Sequence, residues 1–266
     1  EPPPSETPAS SEAASSEAAS SEAASDATSD TASAEVTTVE PGKLIMSTNA
    51  AFPPYEMTAD DGSFEGIDVE IAGAIAEKLG LELQIDDMDF DAALLAAQTG
   101  KSDMVMAGVT VTEDRQTVMD FSDSYAAGIQ VVIVPEDSDI ASIDDMTGKM
   151  IGVQRGTTGD QYCSASVEDG GFGEENVTRY DNGLTAVQAL NNGQVDCVVI
   201  DNAPAQEFVA ANPGLKILDT EYANEEYAIG VAKGNTQLLD AINTAIAELK
   251  ADGTIQSILD KYISAE

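Results

Sequence analysis

The chain has 266 residues, with 49 acids against 11 Lys and Arg and no histidine, for a formal net charge of -38. Such a field repels phosphate backbones and anionic lipid from nearly every side, which argues against nucleic acid as a partner. Without histidine, no Ser-His-Asp or Cys-His machinery can be built, and Cys163 and Cys197 carry no zinc spacing, so neither cofactor nor metal is expected. The two cysteines read either as a disulfide or as two small buried thiols.

In chain order, residues 1–38 are a different material from the rest. "SEAAS" occurs three times across residues 11–25, and the segment holds no Lys, Arg or aromatic residue and one large aliphatic, Val36. It cannot bury enough apolar area to offset the ordering entropy, so residues 1–40 are expected to be a disordered tether. From Lys43 the pattern becomes regular. "KLIMST" reads as a strand, and "FEGIDVEIAGAIAEKLG" as a helix with Asp68 as N-cap, Val69, Ala72, Ile75 and Leu79 on one face, and Gly80 as its stop. "LELQI" follows as an alternating strand, completing a βαβ unit.

The same grammar then recurs. "AALLAAQTGKSDMVMAG" and "TAVQALNNGQVDCVVID" each give a helix, a Gly-x-x-Asp step (Gly100 to Asp103, Gly193 to Asp196) and a buried strand of four or five residues. "KLIMSTN" has its counterpart in "KMIGVQRG" at Lys149. Two matches in the same order predict two α/β lobes of similar design. "AGIQVVIVPE" and "EEYAIGVAKG" read as strands crossing between them, and the last two helices return to the first lobe. The expected division is lobe one at 41–128 and 225–266 and lobe two at 129–224, with two crossing strands as the hinge of a cleft.

Strand ends place Gly108, Thr110 and Arg115 on one wall and Asp201 on the other, while the free amides near Thr157 and Thr158 suit an anion. Thr112 caps the helix opening "EDRQ", whose first-turn acids Glu113 and Asp114 are ordinary; Arg115, a cation at the positive end of a helix, is not. A guanidinium facing an aspartate is the complement of a zwitterion, one holding a carboxylate and the other an ammonium. The plainer readings are that Arg115 pairs with Glu113, Asp114 or Asp120, that Asp201 is a turn or cap residue, and that Phe90 is core.

"STNAAFPPYEM", "FEGIDVEIAGAIAEKLG", "DMVMAGVTVTEDRQTVMDFSDSY", "GVQRGTTGD" and "DCVVIDNAPA" together resemble the family 3 extracellular solute-binding proteins of amino-acid ABC transporters, over nearly all of residues 42–264. The resemblance implies a two-lobed, type II periplasmic-binding-protein fold. It implies that Arg115 binds the ligand carboxylate, helped by the Thr110 hydroxyl and backbone groups of Gly108 and Thr158, and that Asp201 accepts from the ammonium. Phe52 and Phe90 are similar to aromatics that sandwich the ligand side chain, while Asn49, Glu56, Gln154 and Arg155 fall near positions that vary with substrate. The implied function is capture of a free L-amino acid, of polar type, for delivery to permease subunits. The tail resembles the stalk of a bacterial surface lipoprotein, so a monomer with an N-terminal lipid anchor is expected on the outer face of a Gram-positive membrane, or in a Gram-negative periplasm, its signal removed before Glu1. A sensor or adhesin module and a cyclohexadienyl-dehydratase-like enzyme are the competing uses of the fold, the latter with Glu56 as its nearest acid.

Overall fold

The computed structural model describes residues 36–263, so most of the segment read as a tether lies outside the described residues. The first lobe opens with β1 (Lys43–Thr48), buried from Leu44 onward, and a small antiparallel sheet of β2 (Ala51–Phe52), β3 (Glu56–Thr58) and β4 (Phe64–Glu65). Helix α1 (Ile67–Leu79) begins one residue past Gly66 and stops at Gly80, as expected. Asp68 is not its N-cap. The helix starts before it, which turns its buried face toward Ile67, Ile71, Ala72, Ile75 and Ala76 and leaves Val69 half-buried. Asp68 is fully buried in the first turn, where it accepts from the Gly108 amide at 2.8 Å.

β5 (Glu82–Asp87) then pairs in parallel with β1, sending Leu83 and Ile85 onto the core. After α2 (Phe90–Gln98) comes β6 (Met104–Val105), parallel to β1 and shorter than expected, because the chain breaks away to the turn at Gly108. A single turn of helix, α3 (Glu113–Gln116), leads into β7 (Met119–Phe121).

The second lobe holds β8 (Ala126–Pro135), β9 (Ile151–Gln154), α4 (Thr158–Ser164), β10 (Val177–Tyr180), α5 (Gly183–Asn191), β11 (Cys197–Asp201), α6 (Asn202–Ala211), β12 (Leu215–Ile217) and β13 (Ala223–Tyr227). The chain returns through β14 (Gly230–Ala232), and α7 (Thr236–Ala251) and α8 (Thr254–Tyr262) pack against α1. The first sheet has the order β5-β1-β6-β14-β7; the second has β10-β9-β11-β8-β12, with β13 also paired to β8.

The crossing is finer than two uninterrupted strands. β7 and β14 pair in the first sheet (Phe121↔Gly230), and β8 and β13 pair in the second (Ala126↔Tyr227). The short links between them stay bonded: Ser122 N to Ile229 O at 2.8 Å, Ile229 N to Ser122 Oγ at 2.9 Å, and Tyr125 N to Tyr227 O at 3.0 Å. One antiparallel ribbon therefore passes from lobe to lobe. Several of its backbone groups stay paired through the crossing, so bending at the links can reorient the lobes while the two strands remain joined.

The repeated Gly-x-x-Asp step has a mechanical meaning. Gly100 and Gly193 adopt φ of 74° and 72°, the left-handed conformation that ends α2 and α5. Three residues later the aspartate exchanges bonds with the start of the neighbouring strand. Asp103 N reaches Ile45 O at 2.9 Å and Asp103 Oδ2 accepts from Ile45 N at 2.7 Å; Asp196 N reaches Met150 O at 2.8 Å and its Oδ2 accepts from Met150 N at 2.8 Å. The step is the clasp that sets strand register in each lobe. Cys163 and Cys197 are free thiols in the second lobe's core, and burial raises the pKa of Cys163 to about 12.

Asp103 also accepts from Val39 N at 2.8 Å, so Asp103→Ala strands two donors. The expected cost is about 2–4 kcal/mol, seen as a lower urea midpoint at unchanged slope, with Asp103→Asn losing less because it keeps one acceptor.

Candidate ligand-binding cleft

Arg115 is placed by a local device. The Thr112 hydroxyl accepts from the Arg115 amide at 3.2 Å, starting α3 as the sequence predicts. The side chain is 6% exposed and has no ion pair with Glu113, Asp114 or Asp120, the last of which pairs with Lys233 at 3.6 Å. Its guanidinium donates to Thr110 O at 2.8 Å and, across the cleft, to Gly156 O at 3.0 Å; it lies 5.5 Å from the centre of the Phe90 ring, and its Nε is buried without a partner. Burial lowers its pKa, opposed first by the charge of Glu225. A surface pair is thus replaced by a desolvated cation facing a cavity.

Asp201 terminates β11 on the other lobe and is 1% exposed. It is the cap of α6, with Oδ2 accepting from Ala203 N at 3.2 Å, and it also lines the cavity. Its Oδ1 accepts from Ile129 N at 3.0 Å. Burial raises its pKa to about 6, opposed by a bond from the Tyr227 hydroxyl and by the two amides. This crowding requires Gly128 opposite, where a Cβ would overlap the Tyr227 hydroxyl and come within 2.6 Å of Asp201 Oδ1.

Between these walls lie Phe52 and Phe90, both buried, and two amides that meet across the cleft: Gln154 Nε2 donates to Asn49 Oδ1 at 3.1 Å, while Asn49 Nδ2 donates to Met88 O at 2.9 Å. With the Arg115 to Gly156 bond, this contact holds the lobes closed. Thr157 caps α4, accepting from Asp160 N at 3.2 Å, and Thr158 begins the helix, buried, with its amide in the unpaired first turn.

Three expected roles change. The Gly108 amide is committed to Asp68 and is not free for a ligand, although the residue lines the cavity. The Thr110 hydroxyl donates to Glu225 Oε2 at 2.9 Å. Arg155 lies outside the cavity, beside Asp181 at 3.7 Å with 47% of its side chain exposed: Gln154 at the end of β9 points inward, and strand alternation sends the next residue out.

Sequence reasoning missed Glu225, Gln130 and Tyr227, which line the cavity from the hinge strands. The signal was period two: Glu225 and Tyr227 are buried on one face of β13, with exposed Glu226 between them. Glu56 is fully buried, its oxygens and Asp68 Oδ1 lacking any ordinary donor. Burial, followed by the charge of the neighbouring Asp68, holds the Glu56 pKa well above the usual carboxylate range. Among the described residues, no three His, Cys, Asp or Glu side chains converge on a metal site.

Two α/β lobes, a ribbon hinge and a closed cleft with a cation and an acid on opposing walls define a hinged solute-binding protein of the type II fold. Residues 44–265 match the bacterial extracellular solute-binding proteins, family 3, and the chain belongs to that family. It is 31% identical to the L-cystine-binding protein TcyJ of Escherichia coli K12 over 230 residues, covering 85% of each chain. It is 34% identical to a probable histidine-binding protein of Neisseria gonorrhoeae over 232 residues, again covering 85% of each. Among solved structures, an ancestral arginine-binding protein bound to glutamine superposes with a TM-score of 0.78 at 41% identity, covering 85% of this chain and all of that one.

The carboxyl pair makes stability depend on pH. Glu56, Asp68 and Asp201 all have raised pKa values, the latter two to about 6, so the folded state keeps protons that the unfolded state has lost. Their stabilisation is complete below the unfolded pKa values and is lost as pH rises through the folded ones. The fall continues above pH 6 while Glu56 keeps its proton, at up to about 1.4 kcal/mol per pH unit. Glu56→Gln should make urea-derived stability fall less steeply with rising pH than it does in the wild type.

Proposed function

We propose that this protein is the substrate-binding component of an ABC importer, closing on a polar L-amino acid and delivering it to membrane permease subunits. The observation that carries the reading is Arg115: buried, without a carboxylate partner, and with one donor unsatisfied, opposite an Asp201 carboxylate on the other lobe. A zwitterion supplies each with its missing charge, and charge-assisted bonds contribute about 1.5–3 kcal/mol apiece, so spanning both lobes favours closure. Phe52 and Phe90 flank the side-chain space, and the Asn49 and Gln154 amides offer it polar contacts. The relatives named for cystine, histidine and arginine support a polar ligand. Binding is favoured over catalysis because Glu56 is tied to Asp68 and Asp201 to its helix cap, leaving neither acid free for proton transfer.

In this reading residues 41–128 with 225–266 and residues 129–224 are the moving lobes. Residues 1–40 tether a monomer to the outer face of the membrane through a lipidated residue. The composition of that segment supports the tether: it is polar, acidic and poor in large apolar residues.

A thermal-shift screen of the twenty L-amino acids tests the reading. A ligand at a hundred times its dissociation constant adds about 2.7 kcal/mol, a rise of about 5–10 °C for a domain of this size. No shift with any of them would sink it. Arg115→Ala should weaken every amino acid by at least about a hundredfold, since it removes the carboxylate clamp rather than a side-chain contact. Asp201 gives the pH dependence: below its pKa of about 6 the ammonium loses its acceptor, so affinity should drop about fivefold between pH 6 and pH 5. Asp201→Asn should bind weakly at both pH values, without that drop.

A further inference from the structure

We propose that Glu225, on the hinge strand β13, is a specificity-determining positioning residue that commits Thr110 to the ammonium of the bound amino acid. The inference rests on the amino-acid reading above. Glu225 is 6% exposed, yet both oxygens of its carboxylate are held by donors from both sides of the hinge. Oε2 accepts from the Thr110 hydroxyl at 2.9 Å and from Gln130 Nε2 at 3.0 Å, and Oε1 accepts from the Tyr162 hydroxyl at 3.0 Å.

A hydroxyl has one proton and two lone pairs. Because Thr110 spends its proton on Glu225, the side of its oxygen turned to the cavity can only accept. A ligand carboxylate gains nothing from such a group, whereas an ammonium gains an acceptor that supplements Asp201. The Thr110 main chain is arranged the opposite way: its carbonyl holds the Arg115 guanidinium at 2.8 Å, so one residue steadies the carboxylate clamp and presents its hydroxyl to the other end of the zwitterion. Glu225 sets this polarity without touching the ligand. It also adds a second carboxylate to a cavity with one guanidinium, which raises the cost of admitting a compound that brings a carboxylate but no cation.

The test compares an amino acid with the acid that lacks only its α-amino group. L-Arginine and 5-guanidinopentanoate are titrated calorimetrically against the full chain, and if another amino acid binds more tightly in the screen, it and its own deamino acid are used in the same way. Thr110→Val and Glu225→Leu should each weaken the amino acid by about 10–100-fold and leave the deamino acid within about threefold. The double variant should be no weaker than the worse single one, because both remove the same oriented lone pair. Glu225→Gln keeps an acceptor for Thr110 without the charge, and should retain most of the discrimination between the two probes. The proposal is overturned if the Glu225 variants weaken both probes equally, if the Thr110 and Glu225 effects add, or if Glu225→Gln is indistinguishable from Glu225→Leu. Failure of every L-amino acid to bind the wild type is a separate result, and overturns the transport reading itself.

Discussion

A guanidinium withdrawn from water must be satisfied wherever it ends up, and here that requirement joins the two lobes. Arg115 draws one carbonyl from its own lobe and one from the loop after β9 in the other, and it rests on the face of Phe90. An isolated buried cation costs several kcal/mol, and two neutral carbonyls and a ring compensate only part of that. The remaining deficit is what gives the cleft an appetite for an anion. The same residue therefore makes closure possible and leaves it incomplete without a negatively charged group.

The hinge explains how such a site can open. Each lobe is held in register by its own aspartate clasp, Asp103 in one and Asp196 in the other. The ribbon between them keeps its bonds through Ser122, Tyr125 and Ile229, which confines bending to a few residues. Glu225 sits where that ribbon enters the second lobe and gathers donors from both sides. The floor of the cleft is consequently a polar network in the hinge itself, and its arrangement depends on whether the lobes are apart or together.

Much of this was legible in the sequence because it depends on local rules. Helix stops at Gly80, Gly100 and Gly193, the Thr112 cap and the alternation of the strands follow from backbone geometry over a few residues. The Arg115 and Asp201 walls followed from charge at strand ends. What was illegible depended on distant partners. Asp68 looked like an N-cap because Asp before an apolar run usually is one; only the fold shows that Gly108 comes to it from 40 residues away. Arg155 looked like a cleft residue because a one-residue shift along a strand reverses its face. Glu225 was lost among many acids: its period-two spacing from Tyr227 is a weak local sign, and the β8 to β13 pairing is what fixes that face as buried.

The acidic composition itself takes on two meanings once burial is known. Most of the 49 acids are surface charges that keep the chain soluble, but a handful lie where a carboxylate is expensive. Each of these is compensated differently: Asp68 by the Gly108 amide, Asp201 by two amides and a phenol, Glu225 by two hydroxyls and an amide. The last two line the cavity. A site built this way, with one cation and two carboxylates fixed by neutral donors, has a field that points in a single direction before anything binds. In the function proposed above, a zwitterion entering the cleft is oriented by that field, carboxylate toward Arg115 and ammonium toward Asp201 and Thr110, and closure then fixes an orientation already chosen.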